Sequence, residues 1–236
     1  MALPKIKYPT YELKIPSIGK VETFRPFLVR EEKILLMSKS SEDPTEIFRS
    51  IKQVINNCAI DTNFDVDKLT IFDLEFLFLR LRANSVNNIV KVSYRDNEDQ
   101  KIYDFEIDLN TVNVQFPDNV LKTIKITDTM GIQMKYPSAS LFDDKEYFKD
   151  TENSFYELIV RCIDKVYDAE NVYNVSEYSK EDVENFLDQI GINAYKNIVE
   201  FMEKTPKVYY KIEYKNEIGN DRTIELTSLT DFFTLG

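Results

Sequence analysis

The carboxylates of "DTNFDVDKLTIF" are the side chains in this sequence most nearly spaced for chemistry. Asp61, Asn63, Asp65 and Asp67 occupy the first, third, fifth and seventh positions of an EF-hand calcium loop between two expected helices. Such a loop also needs glycine at its sixth position and a bidentate glutamate at its twelfth, and Val66 and Phe72 stand there instead. The stretch therefore reads as a polar linker between helices. Asp143–Asp144 and Asp96-x-Glu98-Asp99 are weaker metal candidates and read as exposed acidic turns. The chain contains no histidine, which removes Ser-His-Asp and Cys-His nucleophilic sites, His-ligated zinc and the commonest general base near neutral pH. Two cysteines far apart in sequence make no thiolate zinc site, and five scattered glycines make no phosphate cradle. No catalytic, cofactor-binding or metal-ligating residue is assigned, and no enzyme activity is expected. A carboxylate-metal enzyme would instead show Mg²⁺- or Mn²⁺-dependent turnover that is lost on changing one Asp pair.

The elements that hold these residues are clearer than any chemistry. "TYELKI" and "VETFRPF" alternate in polarity around "PSIGK", which reads as a β-hairpin. After Phe27 the period changes: Glu31 and Glu32 suit a helix N-terminus, and Ile34 to Met37 supply apolar faces. "TFRPFLVREEKILLMSKSSEDP" is thus a strand-to-helix junction. Asp43 as cap, Pro44 and Glu46 open a second helix with the stripe Ile47, Phe48, Ile51, Val54, Ile55 and Cys58. A third begins at Thr70, and its run "IFDLEFLFLRLRA" is apolar on nearly every side. That suits a central core helix as well as a face covered by a partner or a second copy, so self-association stays open.

Residues 88 to 137 carry strand patterns in "IVKVSYR", "KIYDFEIDL", "KTIKIT" and "GIQMKYP". Thr151 is the expected cap of a helix with the stripe Phe155, Leu158, Ile159, Cys162, Ile163 and Val166. Ser179 with Asp182 opens another, stopped by Gly191, and a last helix runs over about Asn193 to Lys204, ahead of Pro206. The chain closes with strand, turn, strand and a short capped helix. This ending echoes the acidic-turn hairpin after Asn88, a likeness that β-hairpins share for physical reasons. The fold class is α+β, helices with antiparallel β-hairpins, in two lobes: 1–137 and 138–236.

Composition narrows the function. With 43% hydrophobic residues in 236 the chain can bury a core. Its 41 acidic against 30 basic residues give a net charge of −11, which disfavours binding to a phosphate backbone. No apolar run approaches the roughly 20 residues of a membrane span, and no signal peptide is read at the N-terminus. Cys58 and Cys162 fall on apolar helical stripes and are expected as reduced core thiols rather than a disulfide. The 16 Phe and 14 Tyr are core and cross-strand material, except that Tyr209 and Tyr210, adjacent in a strand, face opposite ways, so one of them is a candidate contact residue.

The order of three blocks carries a resemblance over nearly the whole chain. "MALPKIKYPTYELKIPSIGKVETFRPFLVREEKILLMSKSSEDPTEIFRSIKQVINNC", "LTIFDLEFLFLRLRANS" and "NIVEFMEKTPKVYYKIEYKN...IELTSLTDFF" together resemble the baseplate hub proteins of T-even-type contractile-tailed phages, with "FRPFLVREEKILL" the most specific part. The resemblance implies a protein of hub assembly, either subunit or assembly chaperone. It would act on other hub proteins, in the host cytoplasm during assembly or in the virion baseplate. It implies no catalytic residue. The interaction candidates taken from the motif are Arg25, Phe27, Glu31, Glu32, Phe232 and Phe233, besides Tyr209; the local reading, Arg25 paired to an acid and the phenylalanines closing the core, is preferred for the motif residues. The closing turn "YKNEIGND" has no cysteine, so no zinc is expected there. The other reading is an acidic mimic of nucleic acid that occupies a host or phage DNA-binding protein, which would need carboxylates ranked along one surface.

Overall fold

In the computed structural model, residues 6–39, 44–144, 147 and 154–232 are described. The secondary structure is α+β, in two compact units: Met1–Gln115 together with Lys207–Gly236, and Phe116–Pro206. The closing hairpin thus belongs with the N-terminal residues, and the strands after Phe116 belong with the middle helices. Grouping by sequence order places the division at residue 137 instead. Sequence order favours neighbouring segments but does not fix which of them share a core, and here the pairing of the strand Lys207–Lys215 with the strand Asn113–Gln115 joins the closing hairpin to the first unit.

In the first unit, β1 (Tyr11–Lys14) and β2 (Val21–Phe24) form the expected hairpin. Its turn closes with Gly19 at φ +69°, a left-handed conformation that glycine adopts without strain. α1 (Val29–Lys39) and α2 (Pro44–Cys58) follow. The Asp43 expected to cap α2 lies outside the described residues. α3 (Ile71–Ser85) carries a full capping box, in which Thr70 and Asp73 satisfy each other's backbone amides. Its Phe72, Leu74, Leu77, Phe78, Leu79 and Leu81 are all buried, so this helix is a core helix and its all-round apolarity is accounted for within the unit. Ser17 N donates to the Asp73 carboxylate at 2.9 Å, tying the first turn to the start of α3.

β3 (Ile89–Arg95) pairs with β4 (Ile102–Asp108), and β10 (Lys207–Lys215) pairs with β11 (Asp221–Leu226) and with β5 (Asn113–Gln115), all antiparallel. Arg80 of α3 donates to the Leu109 and Val112 carbonyls at 3.0 and 2.8 Å and so seats the β4–β5 turn.

The second unit holds a four-stranded antiparallel sheet in the order β6 (Thr123–Lys125), β7 (Gly131–Met134), β8 (Ile163–Tyr167), β9 (Val172–Asn174). Helices α4 (Ser154–Cys162), α5 (Lys180–Leu187) and α6 (Ile192–Glu203) accompany it. The helix expected to run through Val166 stops at Cys162, and Ile163–Tyr167 is strand. Ile163 and Val166 fit a helical stripe, but they are β-branched, and pairing with β7 on one side and β9 on the other outweighs the continued period. Gly191, expected to stop α5, is the N-cap of α6, and α5 ends earlier, at Leu187. Ile124, Ile132, Ile159, Cys162, Ile198 and Phe201 are central to this unit's core.

Gly131 has a packing reason. A Cβ there would run into the Tyr167 ring and lie 2.7 Å from the Ile124 carbonyl oxygen. Gly131→Ala should therefore destabilise the second unit by about 1–3 kcal/mol, the cost of forcing a methyl group into packed surroundings. Urea unfolding monitored within residues 116–206 checks this, and an unchanged midpoint would reject the packing account.

Candidate interaction surface

The "FRPFLVREE" block folds into a clamp. Arg25 precedes Pro26, which keeps it extended, and its backbone amide donates to the Cys58 carbonyl at 2.9 Å, at the end of α2. The Arg25 guanidinium donates to both Glu31 carboxylate oxygens at 2.9 and 3.2 Å. It also donates to the Asn57 and Pro26 carbonyls at 2.7 and 3.0 Å. The two side chains are 12% and 0% exposed. Glu31 also accepts from the Leu28 amide at 2.9 Å, reaching back to the start of α1 as a capping-box acid does, and from Arg30 Nε at 2.6 Å. Burial works to raise the Glu31 carboxyl, but Arg25, the Leu28 amide and Arg30 overcome it and hold it below the usual carboxylate range. One carboxylate thus joins the end of β2, the root of α1 and the last turn of α2.

The other candidates divide. Phe27 is half-buried, with its ring 5.9 Å from Phe78 and its amide donating to Ser85 Oγ at 2.8 Å. Phe232 is buried, in the short 3-10 helix Leu229–Phe232. Phe233 lies outside the described residues. Tyr209 is half-buried and donates to Glu225 across the β10–β11 pair at 3.0 Å, and Tyr210 is half-buried as well. Glu32 is half-buried, and its carboxylate makes no hydrogen bond or ion pair among the described residues.

Glu32 lies on the face of α1 that the clamp turns outward. Helical spacing puts Val29, Glu32, Leu36 and Met37 on one side, and the three apolar members are 74%, 59% and 77% exposed. The apolar residues of α1 are spread around the helix rather than gathered on one face, so it cannot bury them all against a single neighbour. The sequence names the acids of this segment and gives Ile34 to Met37 as apolar faces of the helix, without saying which of them stay uncovered. The signal available was that four consecutive apolar residues always leave one or two pointing away from the core.

A second constellation was not anticipated at all. The acidic turn of the β3–β4 hairpin and the turn of the β10–β11 hairpin clasp each other. Asp96 accepts from Tyr214 Oη at 2.5 Å and from Arg222 Nε at 3.2 Å, and Glu98 accepts from Arg222, Asn216 and Asn220. Asp99 takes the Glu217 amide at 3.1 Å, and the Tyr103 and Tyr214 rings lie 4.9 Å apart. The echo between the two segments thus belongs to two hairpins that pack together.

The carboxylates of the "DTNFDVDKLTIF" stretch have local partners. Asp61 accepts from Asn63 N, Asp65 caps the short 3-10 helix Val66–Lys68, and Asp67 pairs with Lys52 at 2.5 Å. Among the described residues no group of three or more His, Cys, Asp or Glu is placed to hold a metal ion, and no helix is long and apolar enough to cross a membrane. Cys58 and Cys162 are buried free thiols, and burial raises them to about 11 and about 12.

Comparison with curated proteins and with solved structures yields no match. The sequence does match a family model, that of the T4 bacteriophage base plate protein, over residues 8–234, and the chain belongs to that family.

Proposed function

We propose that this baseplate protein acts in assembly of the central hub, as a subunit or an assembly chaperone, through protein–protein contacts and without a catalytic step of its own. The observation that carries this reading is the outward face of α1, where Val29, Leu36 and Met37 stand exposed beside Glu32, which makes no ion pair among the described residues, on a helix whose root is locked by Arg25 and Glu31. Exposed apolar residues that a single chain leaves uncovered mark contact sites, and methionine adapts to an irregular partner. The occupant we assign is another hub protein of the same baseplate, met in the host cytoplasm during assembly.

A nucleic-acid mimic needs free carboxylates in rows. Here Asp73 and Asp182 cap helices, Asp231 accepts the Thr227 and Ser228 amides, and Asp96 and Glu98 are engaged by Arg222.

The test is a pull-down of the tagged chain from cells expressing the other tail genes, with purified virions blotted alongside. Hub proteins should co-purify with the natural chain, and Leu36→Asp with Met37→Asp should reduce their recovery at least tenfold, about 1.4 kcal/mol or more, with no loss of thermal stability. Undiminished recovery removes α1 as the contact surface. Recovery of a host DNA-binding protein and no hub protein would favour the mimic. The blot separates a resident subunit from a chaperone that departs.

A further inference from the structure

The geometry points to a second docking site, in the unit Phe116–Pro206: a groove between the free edge of β6 and helix α6 that takes an extended segment of a partner protein as an added strand. It stands independently of which protein meets α1. Among the described residues β6 is an edge strand, paired only with β7. Ile126 N donates to the Met130 carbonyl at 2.9 Å and Met134 N donates to the Lys122 carbonyl at 2.7 Å. In an antiparallel ladder the peptide groups alternate in direction, so residues 122, 124 and 126 face β7 while the N–H and C=O groups of Thr123 and Lys125 face away from it. Both residues are exposed.

Beside this edge lies a cavity of about 370 Å³ whose lining includes Leu121, Thr123 and Lys125 on the strand side and, on the other, Asn197 and Phe201 of α6 with Lys204 at its C-terminal end. Leu121 is 73% exposed. Two residues' worth of outward donors and acceptors specify an occupant of extended backbone, because only a strand presents matching groups at the same repeat.

The side chains define the rest of the occupant. A residue of the added strand on the Ile124 side comes alongside Phe201 in the cavity wall, which favours an apolar side chain. Its neighbours, on the opposite face, come alongside Lys125, which makes no ion pair among the described residues and selects a carboxylate. Lys204 is already paired with Glu200 at 2.6 Å. The segment is therefore one in which apolar and acidic residues alternate. A second copy is a poor occupant, since its own edge, residues 121–127, carries two lysines and no carboxylate to meet Lys125.

The experiment selects binders from a random peptide library displayed on phage, using the full chain as bait, then measures the synthetic peptides by fluorescence anisotropy and by amide hydrogen exchange of the complex. Enriched peptides should alternate apolar and acidic residues and slow exchange at the Thr123 and Lys125 amides. Thr123→Pro, which removes an outward donor that the native ladder does not use, should weaken them at least tenfold, and Lys125→Glu at least threefold. The exchange measurement needs no variant and decides the matter if T123P fails to fold. No enrichment, equal binding to T123P where that variant folds, or unprotected Thr123 and Lys125 amides would each overturn the proposal. So would a peptide-free dimer that protects the same two amides, which would put a second copy in the groove.

Discussion

Glu31→Ala should cost the first unit about 3–5 kcal/mol, the usual penalty for removing one partner of a buried ion pair and leaving the other uncompensated. Arg25 would keep its bonds to the Asn57 and Pro26 carbonyls but lose its counter-charge, and the Leu28 amide would lose its acceptor. A loss of that size is a large share of the roughly 5–15 kcal/mol that holds a domain folded. The pair need not be net stabilising for this to be so. Replacing both members by apolar residues of similar volume, Arg25→Met with Glu31→Leu, removes the stranded charge and should recover much of the loss. Urea midpoints of the single and double variants give the coupling. If Glu31→Ala costs under about 1 kcal/mol, or the double variant is as unstable as the single, the clamp does not organise the junction in the way its geometry indicates. The α1 surface depends on the clamp, so E31A should also lose partner binding through the fold, while the Leu36→Asp and Met37→Asp changes lose it with the fold intact.

Legibility in the sequence followed the range of the interactions involved. The helix start at Thr70, the Ser179–Asp182 cap, the Pro44 start of α2 and the first hairpin rest on residues within a few positions of one another, and each stands where spacing put it. The strand Ile163–Tyr167 does not, because its identity comes from β7 and β9, some of it far away in the chain. The same holds for the hairpin clasp, whose Arg222–Asp96 and Tyr214–Asp96 contacts join residues more than a hundred positions apart. Arg25 was legible as a residue paired to an acid, but neither which acid nor the approach of the Asn57 carbonyl, which makes that pair a buried junction, follows from spacing. The exposed side of α1 was the least legible, since a run of four apolar residues reads as core until a packed structure shows which of them find no neighbour.

Stability of the first unit should fall as pH rises from about 5 to about 8, and Glu75 is the reason. Its carboxyl sits inside α3, where burial raises it to about 7, the Leu229 amide donating at 3.0 Å opposes that, and the Asp231 carboxylate adds to it. A carboxyl whose folded value lies above its ordinary 4.5 favours the fold when protonated, so its contribution is complete below about 4.5 and is lost as pH climbs through about 7. At about 1.4 kcal/mol for each pH unit between those values, the swing is about 3 kcal/mol. Glu31 has the opposite sign: held below its ordinary 4.5, it supports the fold above that pH and loses its contribution in acid. The two groups thus oppose each other, Glu31 weakening the fold in acid and Glu75 weakening it towards neutral pH. Glu75→Gln separates them, because the amide oxygen still accepts from Leu229 while the charge is gone. That variant should gain about 2–3 kcal/mol at pH 8, show little difference from the natural chain at pH 4.5, and lose the decline between pH 5 and 8. Chemical unfolding across that range reads the result. If E75Q is no more stable than the natural chain at pH 8, Glu75 ionises without penalty where it stands. The seat of the Leu229–Phe232 helix is then not the pH-sensitive point of the unit.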